Sequence, residues 1–203
     1  MIVPVPPPLH VSWGNKKIGR TMNISLPPII TCEPDPPCAV KCYAKSSYNN
    51  YPQTHTAWLD NYLLWKGWPD IFERKLNEAI RKRKTNWFRW HVGGDIPDPL
   101  YFTMMERVAE TYFNVYFLCF TRKGYRSNIK NLTIIRSHWI GEELNHQDQA
   151  QAMVLDRHQL PPKDAFHCPG ECETCRKCWC LEAGETVAFT LHGNGYRSAH
   201  GKR

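Results

Sequence analysis

"WFRWHVGGDIPDPLYFTMMERVAETYFNVYFLCF", residues 87 to 120, contains a complete strand–turn–helix–strand unit. Its first six residues are rich in aromatic and β-branched side chains, as strands are, and they run into the turn signal Gly93-Gly94-Asp95. Asp98 then stands as a helix N-cap with Pro99 at the first helical position, and Phe102, Met105, Val108, Ala109 and Tyr112 recur with helical period. "NVYFLCF" (114–120) reads as the next buried strand. Apolar strands joined through an amphipathic helix imply a parallel sheet, and so an α/β fold.

The pattern extends in both directions. Upstream, Trp58, Tyr62 and Trp65 line one face of a helix over 55–68, and Pro69 opens a second helix reaching about Lys84, with Ile71, Phe72, Leu76, Ala79 and Ile80 inward. "RKRK" (81–84) suits the negative end of that helix dipole. Residues 1–31 are proline-rich and predict an extended arm with one short strand near "NISLPPII" (23–30). Downstream, "GYRSNIKN" (124–131) predicts a short helix or turn, "LTIIRSHW" (132–139), "AMVLD" (152–156) and "TVAFTLH" (186–192) predict strands, and 193–203 predicts a mobile basic tail. These strands are too few for a closed eight-fold barrel. The expected architecture is a partial or open (β/α) barrel-like parallel sheet over 1–160, followed by a cysteine-rich metal-binding segment over 161–203.

A chain of 203 residues with 42% hydrophobic content and eight tryptophans has ample material for a core. Its first residues show no secretory signal, and no run of eighteen apolar residues occurs, so a soluble protein with no membrane partner is expected. Eight of the nine cysteines fall in two tight groups, a pattern of metal binding in a reducing cytoplasm more than of disulfides. The net charge of +7 favours polyanions such as nucleic acid without selecting one.

The first group, in "CEPDPPCAVKCYA" (32–44), has the spacing C-x5-C-x3-C: Cys32, Cys38 and Cys42. A closed structural site takes four ligands, so three thiols suit either an iron–sulfur cube with one iron left open or a zinc site completed by a distant residue. Spacing leaves both readings standing. The second group, "CPGECETCRKCWC" (168–180), offers Cys168, Cys172, Cys175 and Cys178 at short chelating intervals, for a [4Fe-4S] cluster or for zinc. Cys180, one residue beyond Trp179, is crowded against Cys178 and is expected to be spare. Cys119 reads as an inert packing residue and His91 as a satisfied, half-buried histidine.

Taken together, Cys38-x3-Cys42-Tyr43-Ala44, "FRWHVGGD", "VYFLCFTR" and the cysteine-rich end resemble a family of poorly characterised bacteriophage proteins described as similar to radical S-adenosylmethionine (SAM) enzymes, over about residues 23–192. The resemblance implies that Cys32, Cys38 and Cys42 hold a [4Fe-4S] cluster whose fourth iron is chelated by SAM. Their loop is wider than the C-x3-C-x2-C commonest in those enzymes. It implies further that Gly93, Gly94 and Asp95 receive the methionine amino group, that Ser137 contacts the ribose and Tyr43 the adenine, and that an electron donor is a partner. The implied activity is generation of a 5′-deoxyadenosyl radical in the host cytoplasm. Two other readings stand beside it: a metal-stabilised binding protein for nucleic acid or a host protein, and an iron–sulfur electron carrier.

Overall fold

In a computed structural model, which describes residues 4–14, 18–144, 147–156 and 158–191, the arm itself begins the sheet. β1 (Ser12–Trp13) pairs antiparallel with β2 (Met22–Ile24), and β2 lies parallel beside β3 (Trp87–Trp90). Between β2 and β3 come α1 (Tyr43–Asn50), α2 (Pro52–Gly67) and α3 (Pro69–Arg83). After β3 follow α4 (Pro99–Thr111), β4 (Tyr116–Thr121), β5 (Leu132–His138), β6 (Gln151–Leu155), β7 (Ala165–His167), α5 (Cys172–Cys175) and β8 (Thr186–Thr190). The sheet order is β1-β2-β3-β4-β5-β6-β8-β7, open, with every pair but the first parallel. The expected open, mostly parallel α/β sheet is what forms. The segment beyond 161 contributes β7 and β8 to this same sheet, and the tail 193–203 lies outside the described residues.

Strand alternation sorts the side chains onto two faces. One face carries Met22, Ile24, Phe88, Trp90, Phe117, Cys119, Leu132 and Ile134, buried against Leu64, Trp65, Phe72, Leu76, Met104, Met105 and Val108 of α2, α3 and α4. Asp98 starts α4 as read, its carboxylate accepting Tyr101 N–H at 2.9 Å, and its other oxygen accepts the Trp65 indole N–H at 2.9 Å. Asn61 of α2 secures the arm: its amide oxygen accepts His10 N–H at 2.8 Å, while its amide nitrogen donates to the His10 and Ser25 carbonyls at 2.9 and 3.0 Å.

The second face carries Leu118, Ile135, Ala152 and Val187 and is covered by the cysteine-rich segment, with its short α5 and a 3-10 turn over Lys177–Cys180. Trp179 is the plug. It is 3% exposed, its indole N–H donates to the Phe88 carbonyl at 3.0 Å, and its own carbonyl accepts Thr133 Oγ1 at 2.8 Å. Arg176 stacks over both Trp87 and Trp179, at 4.9 and 5.2 Å from their centroids, and donates to Thr21 Oγ1 at 2.7 Å.

Several expectations shift. Of the short helix or turn expected over 124–131, only a turn forms, at 130–131; Tyr125 stacks on Phe102 at 4.7 Å and Ser127 donates to Glu106 at 2.8 Å, so side-chain anchoring stands where helical hydrogen bonds would. Strand β3 stops at Trp90 because His91 turns to φ 52°, a left-handed conformation that ends extended pairing. The arm holds two short strands, not one, and β7 adds an edge that period-2 patterning over three residues cannot reveal.

Removing the plug tests this arrangement. Trp179→Ala is expected to cost about 3–5 kcal/mol in equilibrium denaturation, by cavity formation and loss of the Phe88 bond. A loss below about 1 kcal/mol would show that the segment does not seal the sheet.

Candidate functional site

Parallel strands end together at one edge, and here that edge gathers the loops after β2, β3, β4 and β5. The loop after β2 carries Thr31, Cys32 and Glu33, then a 3-10 turn over Pro37–Lys41 containing Cys38, then Cys42, whose sulfur caps α1 by accepting Lys45 N–H at 3.4 Å. That eight-residue helix was invisible to apolar periodicity, because it buries only Ala44. A cysteine followed by polar residues is a weak capping signal, but it was the available one.

The glycine turn is packed against protein. A Cβ on Gly93 would lie 2.3 Å from the Trp58 ring, and one on Gly94, at φ 81°, would lie 2.5 Å from the Leu26 carbonyl oxygen. Gly93 also accepts Leu26 N–H at 3.0 Å and donates to Ser25 Oγ at 3.2 Å. Asp95 is 5% exposed. Its Oδ1 accepts Thr121 Oγ1 at 2.6 Å and Ile96 N–H at 2.7 Å, and its Oδ2 accepts Arg122 N–H at 3.0 Å. Burial raises its carboxyl pKa, opposed by those three bonds and by Lys123. Asp95 N–H in turn donates to Thr31 Oγ1 at 3.0 Å, so the residue knits the turn to the loops after β2 and β4.

Around this knot the three thiols come near enough for their charges to bear on one another. Burial pushes the Cys32 thiol up to about 11, opposed by the Ile29 N–H that its sulfur accepts at 3.4 Å and reinforced by Asp95, Cys42 and Cys38. Cys38 is raised by burial and then by Cys42, with Arg122 opposing. Arg122 is itself clamped by Glu142, to which it donates at 2.9 and 2.7 Å, and it bonds the Ser137 carbonyl at 3.2 Å. Ser137 therefore meets the edge through its backbone. Tyr43 holds its hydroxyl inward, donating to the Val92 carbonyl at 2.6 Å, while the residue as a whole is 51% exposed. The trio, the glycine turn, Asp95, Tyr43 and Ser137 thus come to one edge, joined by Arg122, Glu142, Lys123 and Thr31, which sequence reading did not single out.

The C-terminal cysteines lie on the second face of the sheet. Cys178, 8% exposed, is pushed up to about 12 by burial, then by the thiols of Cys168 and Cys172, with Arg89 opposing and Cys175 adding to the rise. Those four line one small cavity; Cys180 lies outside it and is exposed. Among the described residues, no three His, Cys, Asp or Glu side chains converge on a single-ion position. A larger concavity, about 430 Å³, follows the charged outer face of α3 between Asp70 and Arg81, remote from both thiol groups. No described helix is long and apolar enough to cross a membrane.

His91 is buried, not half-buried as its sequence context suggests, at 3% exposure, with Nε2 3.2 Å from the Tyr101 hydroxyl and Nδ1 3.8 Å from the Cys119 sulfur. Cys119 itself is fully buried, and burial holds its thiol well above the ordinary value. Burial, aided by Lys123, lowers the His91 pKa to about 3 from 6.5. Below pH 6.5 the unfolded chain therefore binds a proton that the folded protein excludes, and stability falls with pH, by up to about 2 kcal/mol between pH 6.5 and 5. His91→Asn, which tolerates φ 52° and does not titrate, should flatten this slope in denaturant midpoints measured across that interval. Identical slopes in both proteins would count against the assignment.

Comparison with known proteins gives one family, Gene product 88, matched over residues 9–139, which span β1 to β5, the cysteine trio and the glycine turn. No curated protein and no solved structure matches the chain. Because the match covers more than half of its length, the chain belongs to the Gene product 88 family of bacteriophage proteins.

Proposed function

We propose that this is an iron–sulfur protein of radical-SAM type, with an open [4Fe-4S] cluster on Cys32, Cys38 and Cys42 and a second metal centre on Cys168, Cys172, Cys175 and Cys178. The carrying observation is the gathering of three mutually influencing thiols in the loop after the first parallel strand, at the carboxyl edge of an open sheet. The donor set fits: three soft ligands of one type suit iron–sulfur chemistry, with no fourth cysteine in the loop. Such a cluster with bound SAM supplies a 5′-deoxyadenosyl radical that takes hydrogen from a substrate. The chain's own residues would do the positioning: Asp95 holds the loops in register, Tyr43 presents an exposed ring beside the trio, and Arg122 places positive charge next to Cys38. The electron would come from a donor protein in the reducing host cytoplasm.

A second reading rests on the seating of the C-terminal cysteines under Trp179. There a metal, zinc included, acts as a staple for the sheet cover, and the basic chain, at net charge +7, holds nucleic acid or a host protein. An electron carrier with filled clusters but no SAM site is the intermediate case.

Anaerobically purified protein is expected to contain iron and sulfide, and SAM to alter the electron paramagnetic resonance spectrum of the reduced cluster. Colourless, zinc-containing protein would sink the proposal in favour of the staple; iron with no response to SAM would favour the carrier. Single Cys32→Ala, Cys38→Ala or Cys42→Ala changes should each remove the SAM-responsive signal and leave the C-terminal metal in place. At the second centre, Cys175→Ala should lower bound metal and loosen residues 165–185 to hydrogen exchange, while Cys180→Ala retains nearly all of it; the opposite order in metal analysis would refute the ligand assignment.

A further inference from the structure

The second face of the sheet is closed over only half its length. Leu118, Ile135, Ala152 and Val187, toward the start of the strands, are buried under Cys178, Trp179 and Leu181. Further along the same face, Phe120, Ser137, Val154 and Phe189 are only partly buried. Each lies two residues beyond a covered neighbour on its own strand, and register sets Val154 beside Phe189. The result is a half-open, largely apolar trough, with Phe120 and Phe189 edge to face at 5.7 Å on its floor. It runs from the C-terminal cysteines toward the edge that carries the trio.

Arg89 of β3 points onto this face, in register with Leu118. Its guanidinium carbon lies over the Phe120 ring, 5.1 Å from the centroid. Arg107 is committed to Glu73, Arg122 to Glu142, Arg126 to Asp148, and Arg176 to Thr21 and two tryptophans, while Arg136, on the helix-covered face, also has a buried Nη1 without a partner. Arg89 has no carboxylate and no hydrogen-bond acceptor among the described residues, and its Nε is buried without a partner. A half-buried guanidinium left unpaired costs free energy that an anion returns, and it binds planar oxyanions through two parallel bonds. Its positive charge opposes the rise in pKa of both the Tyr43 hydroxyl and the Cys178 thiol.

We propose that Arg89 is the anion-recognising residue of a ligand site in this trough, and that its ligand is a small molecule with a carboxylate or phosphate on an aromatic or apolar body. The anionic group sits on the Arg89 fork and the apolar body lies against Phe120 and Phe189. The proposal deepens the radical-SAM reading, because it names the class of substrate that would lie beside the open edge.

The probes are benzoate and phenyl phosphate, with neutral benzamide as control, titrated calorimetrically into the full chain as purified with its metal. At least one anion is expected to bind, benzamide at least tenfold more weakly. Arg89→Gln should weaken the anion at least tenfold, whereas Arg136→Gln, on the opposite face, leaves it unchanged. Preference between the two anions assigns carboxylate or phosphate. If Arg89→Gln does not fold, wild-type protein answers: either anion should slow phenylglyoxal modification of Arg89, read by peptide mass spectrometry, severalfold more than benzamide does. Absence of anion binding, equal binding by Arg89→Gln, or unprotected Arg89 overturns the proposal. Iron content and the SAM response are measured on the same preparation. A SAM response without anion binding sinks this site alone, and anion binding at Arg89 without a SAM response sinks the radical-SAM reading alone.

Discussion

The carboxylate of Asp95 is the point on which the carboxyl edge depends. One oxygen takes the Thr121 hydroxyl and the Ile96 amide, the other takes the Arg122 amide, and the Asp95 amide reaches Thr31. Three loops that would otherwise leave the sheet independently are joined through one buried group. Burial of a carboxylate is tolerated because each oxygen accepts strong donors and Lys123 lies close by. Lys123 closes the same knot from outside, donating to the Thr31 and Ile96 carbonyls. The cysteine trio inherits its position from this arrangement, since Cys32 follows Thr31 directly in the chain.

The two cysteine groups differ in what holds them. The first rests on loops, a 3-10 turn and the cap of α1, and its thiols are partly buried at the sheet edge. The second is anchored by Trp179 and Leu181, which are part of the apolar cover of the sheet. In the fold its apolar residues are few but well placed, and the thiols of Cys168, Cys172 and Cys178 lie in the same segment that closes the second face.

Arg89 and Trp87 show how one strand serves both faces. Phe88 and Trp90 enter the helix-covered core, while Trp87 packs under Arg176 and Arg89 lies along the trough. Alternation in β3 therefore divides a fully buried face from one that is only partly covered. The glycine turn that follows has a structural role in the same economy of space: Gly93 lets the Trp58 ring approach and Gly94 lets the Leu26 carbonyl approach.

By itself the sequence determined the α/β class, the helices over α2, α3 and α4, the parallel strands β3 to β6 and β8, and the grouping of the cysteines, because period, caps and spacing are local properties of the chain. Tyr101 and Met104 are missing from the apolar set that period assigns to α4, and the packing of Trp58 against Gly93 is not legible in its helical spacing, since a helix face is known only once its partner is. Tertiary structure decided the rest. The two-residue strand β1, the helix-free connection over 124–131, the partnerships of Asp95 with Thr121 and of Arg122 with Glu142, and the unpaired state of Arg89 all depend on residues far apart in the chain. Hydrogen bonding and burial between such residues leave no periodic trace, because their spacing is set by the path of the backbone through space and not by the repeat of any single element.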